Sequence, residues 1–492
     1  MTQSNPSPAP EPPSQPTSAA WVVLKFGGTS VASPVGWETI ANACSAVIAE
    51  GKRPFVVCSA LAGVSSRIDA LVDQAARGED VAEGVEAITA AHHALAEALQ
   101  VPLPAPVTEM LGELRDGLAG VAMVRDASPR VRARLLALGE QMSTRLGHVW
   151  LVARGLAMEW RDARKLLRSA DPPATAPGPR FLSAREVAVD PEAAAGLGSV
   201  PGVLTQGFVA SDDEGDTVLL GRGGSDTSAA LFGAGLQADR VEIWTDVPGM
   251  FTANPQVAPH ARLITRLGYD EAEALSALGA RVLHPKSVEP LREDGVPLLV
   301  RSTFHPELPG TRVDPDPGEP GVKAVSARKG LVLFRMERPS SWQPVGFLAD
   351  VSGCFARHGL SIDLLSTSSH LLLATVDPAA AAGAVLDALI ADLAEVCSVS
   401  VQRPVASVSL VGTDVRSTIE RIGPVMMAVG EAEPLMVVSG ASDHHLTFVV
   451  AEDGAGQLVD RLHRALFEGR RSDDEGLGLT WSDLPTVPRE RA

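Results

Sequence analysis

The sequence predicts an α/β fold: a mostly parallel sheet sandwiched by helices, followed by two ferredoxin-like α+β units. From about residue 21 to 313, short apolar and β-branched runs alternate with long Ala- and Leu-rich stretches, which indicates a parallel sheet covered on both faces. A segment rich in Pro, Asp and Gly at 305–321 interrupts this alternation. Shorter strand and helix patterns then occur twice in β-α-β-β-α-β order, the order of a ferredoxin-like unit.

Changes in composition and pattern divide the chain into six predicted segments. The first is rich in Pro, Ser, Gln and Ala and has too little apolar surface to fold, so we expect it to be disordered. The last is polar and too short for a domain. In order, the segments are a tail (1–20), the large α/β domain (21–313), a linker (314–327), a first small domain (328–402), a second small domain (403–470) and a C-terminal tail (471–492).

Composition narrows the classes of function. The 492 residues carry a formal net charge of -18 without a compensating basic block, which argues against a nucleic-acid partner. No apolar run reaches the roughly 18 residues that span a bilayer, so no membrane partner is expected. The four cysteines lack metal-like spacing, so the sequence predicts neither disulfides nor a zinc site nor another residue-held metal. This cysteine usage predicts a cytoplasmic location.

The first strand of the large domain ends in a Gly-Gly turn. The run 21–24 is apolar and β-branched, and it stops at Lys25 before Gly27 and Gly28. Glycines let a ligand approach the backbone, and the following helix N-terminus offers unpaired N–H groups to an anion. The turn therefore predicts a phosphate site with Lys25 as its cation.

A second Gly-Gly turn has the same setting. It follows the predicted strand 217–220, carries Arg222, and precedes a predicted helix that Ser225 or Asp226 is able to cap. Neither turn matches the P-loop or the dinucleotide fingerprint. Gly-Gly turns also leave strands in α/β proteins that bind no ligand there, so the residues alone leave a structural interpretation open.

The remaining elements follow from the same patterns. Further strands of the large domain are predicted over 55–58, 202–205, 241–244 and 296–300. The first small domain is predicted to have strands over 331–334, 361–365 and 371–376 and helices over 347–357 and 379–390. The second is predicted to have strands over 406–411, 436–438 and 446–450 and helices over 416–429 and 454–466.

Together these features resemble one family, the aspartokinases, in which an amino acid kinase fold precedes tandem ACT domains. The similarity runs from about residue 22 to 469. The regulatory half, through 346–349 and 361–364, looks most like the lysine-sensitive class. The motifs that carry the resemblance are Lys25-Phe26-Gly27-Gly28-Thr29-Ser30-Val31, Gly139-Glu140, Gly221 to Asp226, Trp244-Thr245-Asp246-Val247-Pro248-Gly249 and Val282-Leu283-His284-Pro285.

The resemblance implies ATP-dependent phosphorylation of the side-chain carboxylate of L-aspartate to 4-phospho-L-aspartate, which opens the route to lysine, methionine and threonine. It also implies ATP with Mg²⁺, feedback by an amino-acid effector with lysine as first choice, and a homodimer paired through the ACT domains. The chemistry is consistent, because the aspartate side chain, with an ordinary pKa of about 3.9, is ionised at neutral pH and needs no general base. Catalysis is then expected from positioning and charge stabilisation.

The resemblance also implies residue roles. Lys25 stabilises charge on the γ-phosphoryl oxygens and Asp226 organises Lys25 and the metal-bound phosphates, while Arg222 clamps the aspartate α-carboxylate and Glu140 accepts its ammonium. The substrate-binding residues are Ser59, Ser65, Glu140, Arg222 and Ser225, and the effector residues are Phe347, Leu348, Ser361 and Asp363. The ATP-binding residues are Lys25, Gly27, Gly28, Gly223, Gly224, Thr245, Asp246, Phe251, Gln256, Arg281 and Val282.

Two regions depart from the family's pattern. The family usually has Tyr-Thr-x-Asp-Pro-Arg where residues 251–256 are Phe-Thr-Ala-Asn-Pro-Gln, and it has Lys where this chain has Arg281. We expect altered nucleotide affinity with activity retained. In the effector region, Ser369 replaces an acid and Leu371 replaces a Ser, which removes a partner for a cationic effector.

Two alternatives are open at this point. Another amino acid kinase would act on glutamate or a carbamate, but those enzymes lack paired C-terminal ACT domains. An amino-acid-sensing ACT protein with a weakened or inactive kinase domain is favoured by the changes at 251–256. The retained cations and acids at Lys25, Glu140, Arg222 and Asp226 argue against it.

Overall fold

The structure, a computed structural model, describes residues 19–170, 176–280, 282–338, 345–377, 383–415, 423–430, 432–440, 443–469 and 476–484. The strands of the large domain are β1 (Trp21–Phe26), β2 (Arg53–Cys58), β3 (Glu159–Trp160), β4 (Leu167–Ser169), β5 (Val187–Val189), β6 (Val203–Gln206), β7 (Val209–Ser211), β8 (Thr217–Leu219), β9 (Arg240–Thr245), β10 (Arg262–Ile264), β11 (Arg266–Gly268), β12 (Leu298–Ser302) and β13 (Thr311–Asp314). Its helices are α1 (Gly28–Val31), α2 (Pro34–Ala49), α3 (Val64–Arg77), α4 (Ala82–Ala98), α5 (Ala105–Val124), α6 (Pro129–Ala153), α7 (Pro177–Leu182), α8 (Pro191–Ala195), α9 (Gly224–Gly235), α10 (Tyr269–Ala277) and α11 (Glu289–Asp294).

An eight-stranded sheet forms the centre of the large domain, in the order β11-β13-β12-β9-β1-β2-β6-β3. Its pairs are parallel except β12 with β13, which confirms the predicted mostly parallel sheet. Every residue of β1 is buried, because helices cover both faces. The carboxyl ends of β1, β2 and β9 therefore lie at one edge of the sheet.

Local sequence explains where the principal helices begin and how closely they pack. Helix α6 starts after Ser128, whose hydroxyl accepts a hydrogen bond from the Val131 N–H, with Pro129 at the first helical position. Gly147 of α6 lies against the Trp37 ring, where a Cβ would approach ring carbons to 1.7 Å. This close crossing holds α6, and Glu140 with it, beside the sheet edge.

The C-terminal half is built on a six-stranded antiparallel sheet in the order β15-β16-β14-β17-β19-β18. Its strands are β14 (Gly321–Glu337), β15 (Leu364–Thr367), β16 (Leu371–Val376), β17 (Ser398–Thr413), β18 (Met436–Ser439) and β19 (His445–Ala451). Its helices are α12 (Phe347–Arg357), α13 (Gly383–Val396), α14 (Gly423–Gly430) and α15 (Glu452–Phe467), and a further short strand, β20 (Leu477–Thr480), follows them.

The two small units share this one sheet, and that corrects the predicted linker. Strand β14 begins at Gly321, and its residues 321–328 pair with 407–413 of β17. The prediction of a linker over 314–327 is therefore wrong from 321 onward. The Pro, Asp and Gly that signal a linker end at that point, and buried Val322, Ala324 and Val325 follow.

The predicted C-terminal tail also contains structure. Strand β20 lies within 471–492 and pairs antiparallel with β10 of the large domain. Of the predicted N-terminal tail, residues 1–18 lie outside the described residues. Among the helices that the structure describes, none has the length and apolar character needed to cross a membrane.

Candidate active site

A pocket opens at the carboxyl edge of the central sheet, where ligands bind in open parallel α/β sheets. It brings together every residue predicted for catalysis and substrate binding, with the four glycines predicted for ATP binding. Those that line it are Lys25, Gly27, Gly28, Ser59, Ser65, Glu140, Arg222, Gly223, Gly224, Ser225 and Asp226.

The first glycine turn leads directly from β1 into the short helix α1. Gly27 is the extended N-cap residue of α1. Gly28 lies under the loop that follows β2, and a Cβ there would come within 3.0 Å of the Ala60 carbonyl oxygen. The turn is therefore close-packed on one side and lines the pocket on the other.

The second turn needs glycine for two reasons. Gly221 and Gly223 have φ of +73° and +70°, a region that favours glycine, and a Cβ on Gly223 would come within 2.5 Å of the His284 ring. Gly223 itself is the N-cap of α9, so the predicted side-chain caps Ser225 and Asp226 are wrong. Both lie inside the first turn of α9. There, the positive end of the helix dipole stabilises the negative charge of the Asp226 carboxylate.

An ion pair joins the two turns. Lys25 Nζ lies 2.6 Å from Asp226 Oδ1, and both side chains are largely buried. Besides this contact with Lys25, Oδ1 has no hydrogen-bond partner among the described residues. The pair thus places one cation between the two sets of backbone amides.

Glu140 is the buried acid of the pocket. It is 3% exposed, and its Oε1 accepts a hydrogen bond from Ser65 Oγ at 3.3 Å. Its Oε2 is buried without a partner within the described part of the chain. Burial raises the pKa of Glu140 to about 7. Hydrogen bonds from nearby N–H groups and the Ser65 hydroxyl favour the ionised form and partly offset this rise. A buried, unpartnered carboxylate oxygen is costly unless a ligand satisfies it.

Hydroxyl groups connect the loop after β2 with the second turn. Ser59 Oγ donates to Ser225 Oγ at 3.0 Å, and the Ser59 carbonyl accepts from Ser143 Oγ at 2.6 Å. The three hydroxyls fix the loop against α6 and α9, so the serines predicted for substrate binding also set the width of the pocket.

The residues predicted for the distal part of the nucleotide lie outside the pocket lining. Thr245 is the last residue of β9, and its hydroxyl donates to Oδ1 of the next residue, Asp246, at 3.0 Å. The Phe251 ring packs edge-on against Trp481, with 5.2 Å between ring centroids. Gln256 is exposed and Val282 is half-buried, and Arg281 lies outside the described residues.

The pocket also contains residues that the sequence did not single out. Phe208 has a φ of +68°, strained for a bulky residue, and its N–H donates to Ser228 Oγ at 2.9 Å. The loop after β2 contributes the others, and its position at the end of a buried strand was the available signal. The additional lining residues are Ala60, Leu61, Ala62, Gly63, Ser66 and Phe208, and Gly221 of the predicted second turn also lines the pocket.

The predicted effector residues lie in the first small unit. Asp363 pairs with Arg328 at 3.2 Å, and burial raises the pKa of its carboxyl. Phe347 is in the core at the start of α12, while its neighbour Leu348 is 47% exposed. Ser361 is exposed. The Arg328 guanidinium therefore already pairs with Asp363, the acid predicted to bind the effector.

The pocket at the edge of this helix-covered parallel sheet joins a lysine, a buried acid and two glycine turns, an arrangement expected of small-molecule kinases. The model of the Amino acid kinase family matches residues 20–302, more than half of the chain. The chain is 34% identical over 466 residues to the lysine-sensitive aspartokinase 3 of Escherichia coli, covering 91% of this chain and 99% of that protein. It belongs to the aspartokinase family and is a kinase.

Two solved structures show the same fold over nearly the whole chain. The crystal structure of E. coli aspartokinase III with aspartate and ADP, called the R-state, is 33% identical and has a TM-score of 0.77, covering 91% of this chain and all of that one. The structure of the same enzyme with lysine and aspartate, called the T-state, has a TM-score of 0.73 over 91% and 99% of the two chains.

Proposed function

We propose that this chain transfers the γ-phosphoryl group of ATP to the side-chain carboxylate of L-aspartate, giving 4-phospho-L-aspartate. The observation that carries the proposal is the unpartnered, buried Glu140 carboxylate in the same pocket as the Lys25–Asp226 pair. A buried carboxylate suits the ammonium of an amino acid, and a lysine between two glycine turns suits a phosphoryl group. One pocket thus offers both halves of an amino acid kinase site.

The reaction needs positioning more than proton transfer. A carboxylate oxygen of aspartate attacks the γ-phosphorus, the bond to the β,γ-bridging oxygen breaks, and ADP leaves with that electron pair. The nucleophile is already ionised, and no histidine stands among the described residues that line the pocket. Lys25 would stabilise the charge that develops on the transferring group, with the turn amides around it.

The substrate would be held at both of its α-substituents. Glu140 would accept the ammonium, and Arg222, exposed on the second turn, would clamp the α-carboxylate with two parallel hydrogen bonds. Ser59, Ser65 and Ser225 would complete the pocket around the side chain. This arrangement favours aspartate over a longer acid, because the reacting carboxylate must reach Lys25 from a fixed α-carbon.

Mg²⁺ is proposed to enter with ATP. The Asp226 carboxylate lines the pocket beside the glycine turns and already faces the Lys25 ammonium at 2.6 Å, so it fits a supporting role toward an ion held mainly by phosphate oxygens. When bound, the ion would neutralise phosphate charge. Asp226 would then face two cations, the ion and Lys25.

Trapping the acyl phosphate tests the activity. Purified protein with MgATP, L-aspartate and hydroxylamine should form a hydroxamate from aspartate and not from glutamate. Lys25→Ala should lower turnover at least about 10²-fold. Lys52→Ala is the control, because Lys52 pairs with Glu50 and Asp239 at the opposite end of the strands. Near-normal turnover in Lys25→Ala would exclude the proposed role of Lys25. No hydroxamate from the parent protein at any ATP concentration would favour the amino-acid-sensing alternative.

Regulation and assembly extend the proposal. An amino acid, lysine first, would bind at Phe347, Leu348, Ser361 and Asp363 and inhibit by preferring one of two states. The Arg328–Asp363 pair supports weakened lysine binding, because a cationic effector would have to share that acid. A homodimer paired through the C-terminal sheet is proposed with it, and inhibition assays with lysine, threonine or both identify the effector.

A further inference from the structure

A short β-ribbon leaves the central sheet beside the pocket. After β9, residues 250–252 pair with β10 through backbone hydrogen bonds. The Thr252 N–H donates to the Arg262 carbonyl at 2.9 Å, and the Ile264 N–H donates to the Met250 carbonyl at 2.8 Å. Strand β9 lies next to β1 and parallel to it. The ribbon, residues 250–264, therefore begins at the same sheet edge as the first glycine turn.

The C-terminal strand covers the free edge of this ribbon. Strand β20 pairs antiparallel with β10, with Arg262 opposite Thr480 and Ile264 opposite Leu477. Two further backbone bonds extend the pairing: the Thr265 N–H donates to the Gly476 carbonyl, and the Trp481 N–H donates to the Ala261 carbonyl, at 2.9 and 2.8 Å. Residues 476–481 thus add a third strand to the ribbon.

Side chains also attach this third strand to the ribbon. The Trp481 ring contacts the Phe251 ring edge-on, and the buried Arg262 donates from Nε to the Gly478 carbonyl at 3.1 Å. Leu477 is buried in the core that α15 shares with the ribbon. Leu479, between these anchors, is 48% exposed. The strand therefore has one attached face and one solvent face.

We propose that residues 476–481 are a positioning strap that fixes the 250–264 ribbon next to the phosphate turns and so sets the affinity for nucleotide. The inference rests on the proposed function and extends it, because the ribbon follows β9, the parallel neighbour of β1, and carries Phe251 and Gln256, which the family resemblance assigns to ATP binding. Trp481 is the principal positioning residue. It acts through Phe251 and does not contact the reacting groups.

Three variants of the full chain test the strap. Trp481→Ala removes the ring contact, Trp481→Phe restores an aromatic, and Leu479→Ala changes the solvent face of the same strand. We expect Trp481→Ala to raise the KM for ATP about fivefold, the size of one aromatic contact, with kcat and the KM for aspartate unchanged. Trp481→Phe should recover most of the loss, and Leu479→Ala should match the parent.

Calorimetric titration with MgADP gives a readout that needs no turnover. The Kd for MgADP should rise with Trp481→Ala by the same factor as the KM for ATP. An unchanged Kd in folded Trp481→Ala would overturn the proposal, and so would a loss of folded protein or a parallel change in kcat and both KM values. If the parent formed no hydroxamate, the proposed function would fail, while the MgADP titrations would still decide the strap.

Discussion

Glu140 is expected to give aspartate binding a pH dependence. Burial raises the pKa of this carboxyl to about 7, so the ionised form predominates above pH 7 and the neutral acid below it. The neutral acid is a weak partner for the aspartate ammonium. At saturating MgATP, kcat/KM for aspartate should therefore fall about tenfold between pH 8 and pH 6, as the carboxyl takes up its proton.

Glu140→Gln is the matched variant, because the amide keeps the size of the side chain and does not ionise. We expect kcat/KM for aspartate to be about 10²-fold lower in this variant and flat over the same pH range. A flat profile in the parent, or the same slope in the variant, would contradict the assignment of the ammonium to Glu140.

At the scale of residues, Lys25, Glu140, Arg222 and Asp226, whose roles the family resemblance implied, all line one pocket. Lys25, Arg222 and Asp226 stand in the two glycine turns, which local pattern could locate, whereas Glu140 lies within α6 and only the resemblance pointed to it. Phe208 could not be found this way, because its positive φ and its place in the pocket arise from packing against α9. The role of Phe208 in the pocket depends on contacts between distant parts of the chain, which the pattern of a single sequence does not show.

The N-cap position of helix α9 requires glycine, and this requirement can be tested. Gly223→Ala would add the strain of a left-handed backbone and place a Cβ 2.5 Å from the His284 ring, so the second turn must shift. We expect at least a tenfold loss in kcat/KM for ATP. Gly295→Ala is the control: its φ is +66°, but nothing lies within 4 Å of the added Cβ, so it should cost about 1 kcal/mol of stability and no activity.

Equal losses of activity in Gly223→Ala and Gly295→Ala would assign the effect to backbone strain alone. The turn's approach to His284 would then have no part in the site.

Helices and strands were predicted well where a single hydrophobic pattern runs through the whole element. Helix α12 spans 347–357 as predicted, and the buried strands β1 and β9 stand where apolar runs indicated. The errors fall on strands without a local signature. Residues 321–327 follow a linker-like segment, and β20 is a short strand in a polar tail, ordered by pairing with β10. Their partners are more than 75 residues away in sequence, so only the folded chain reveals them.

At the scale of the molecule, the ribbon interlocks the two halves. Ala253, Ala258 and Ala261 pack in the same core as Val408 of β17 and Leu458 of α15. The Val325 N–H of β14 donates to the Thr252 carbonyl at 2.7 Å. The large domain and the C-terminal sheet thus share a core, so a change in one half alters the stability of the ribbon in the other.

His463 is expected to make this junction sensitive to acid. It is 3% exposed on α15, and its Nε2 shares a 2.8 Å hydrogen bond with Thr252 Oγ1 of the ribbon. Burial lowers the pKa of His463 from 6.5 to about 4, so between those values the unfolded chain binds a proton that the folded chain does not. The free energy of unfolding therefore keeps this contribution above pH 6.5 and loses it as the pH falls toward 4, by about 2 kcal/mol at pH 5.

Denaturant unfolding of the parent and of His463→Gln at pH 7 and pH 5 isolates this histidine from every other titrating group. Glutamine can hold the hydrogen bond to Thr252 but takes up no proton, so the stability of the variant should fall less on acidification. The stability difference between the two proteins should change by about 2 kcal/mol in favour of the variant from pH 7 to pH 5. A constant difference would mean that His463 binds its proton equally in the folded and unfolded chains, and the junction would then owe its acid sensitivity to other groups.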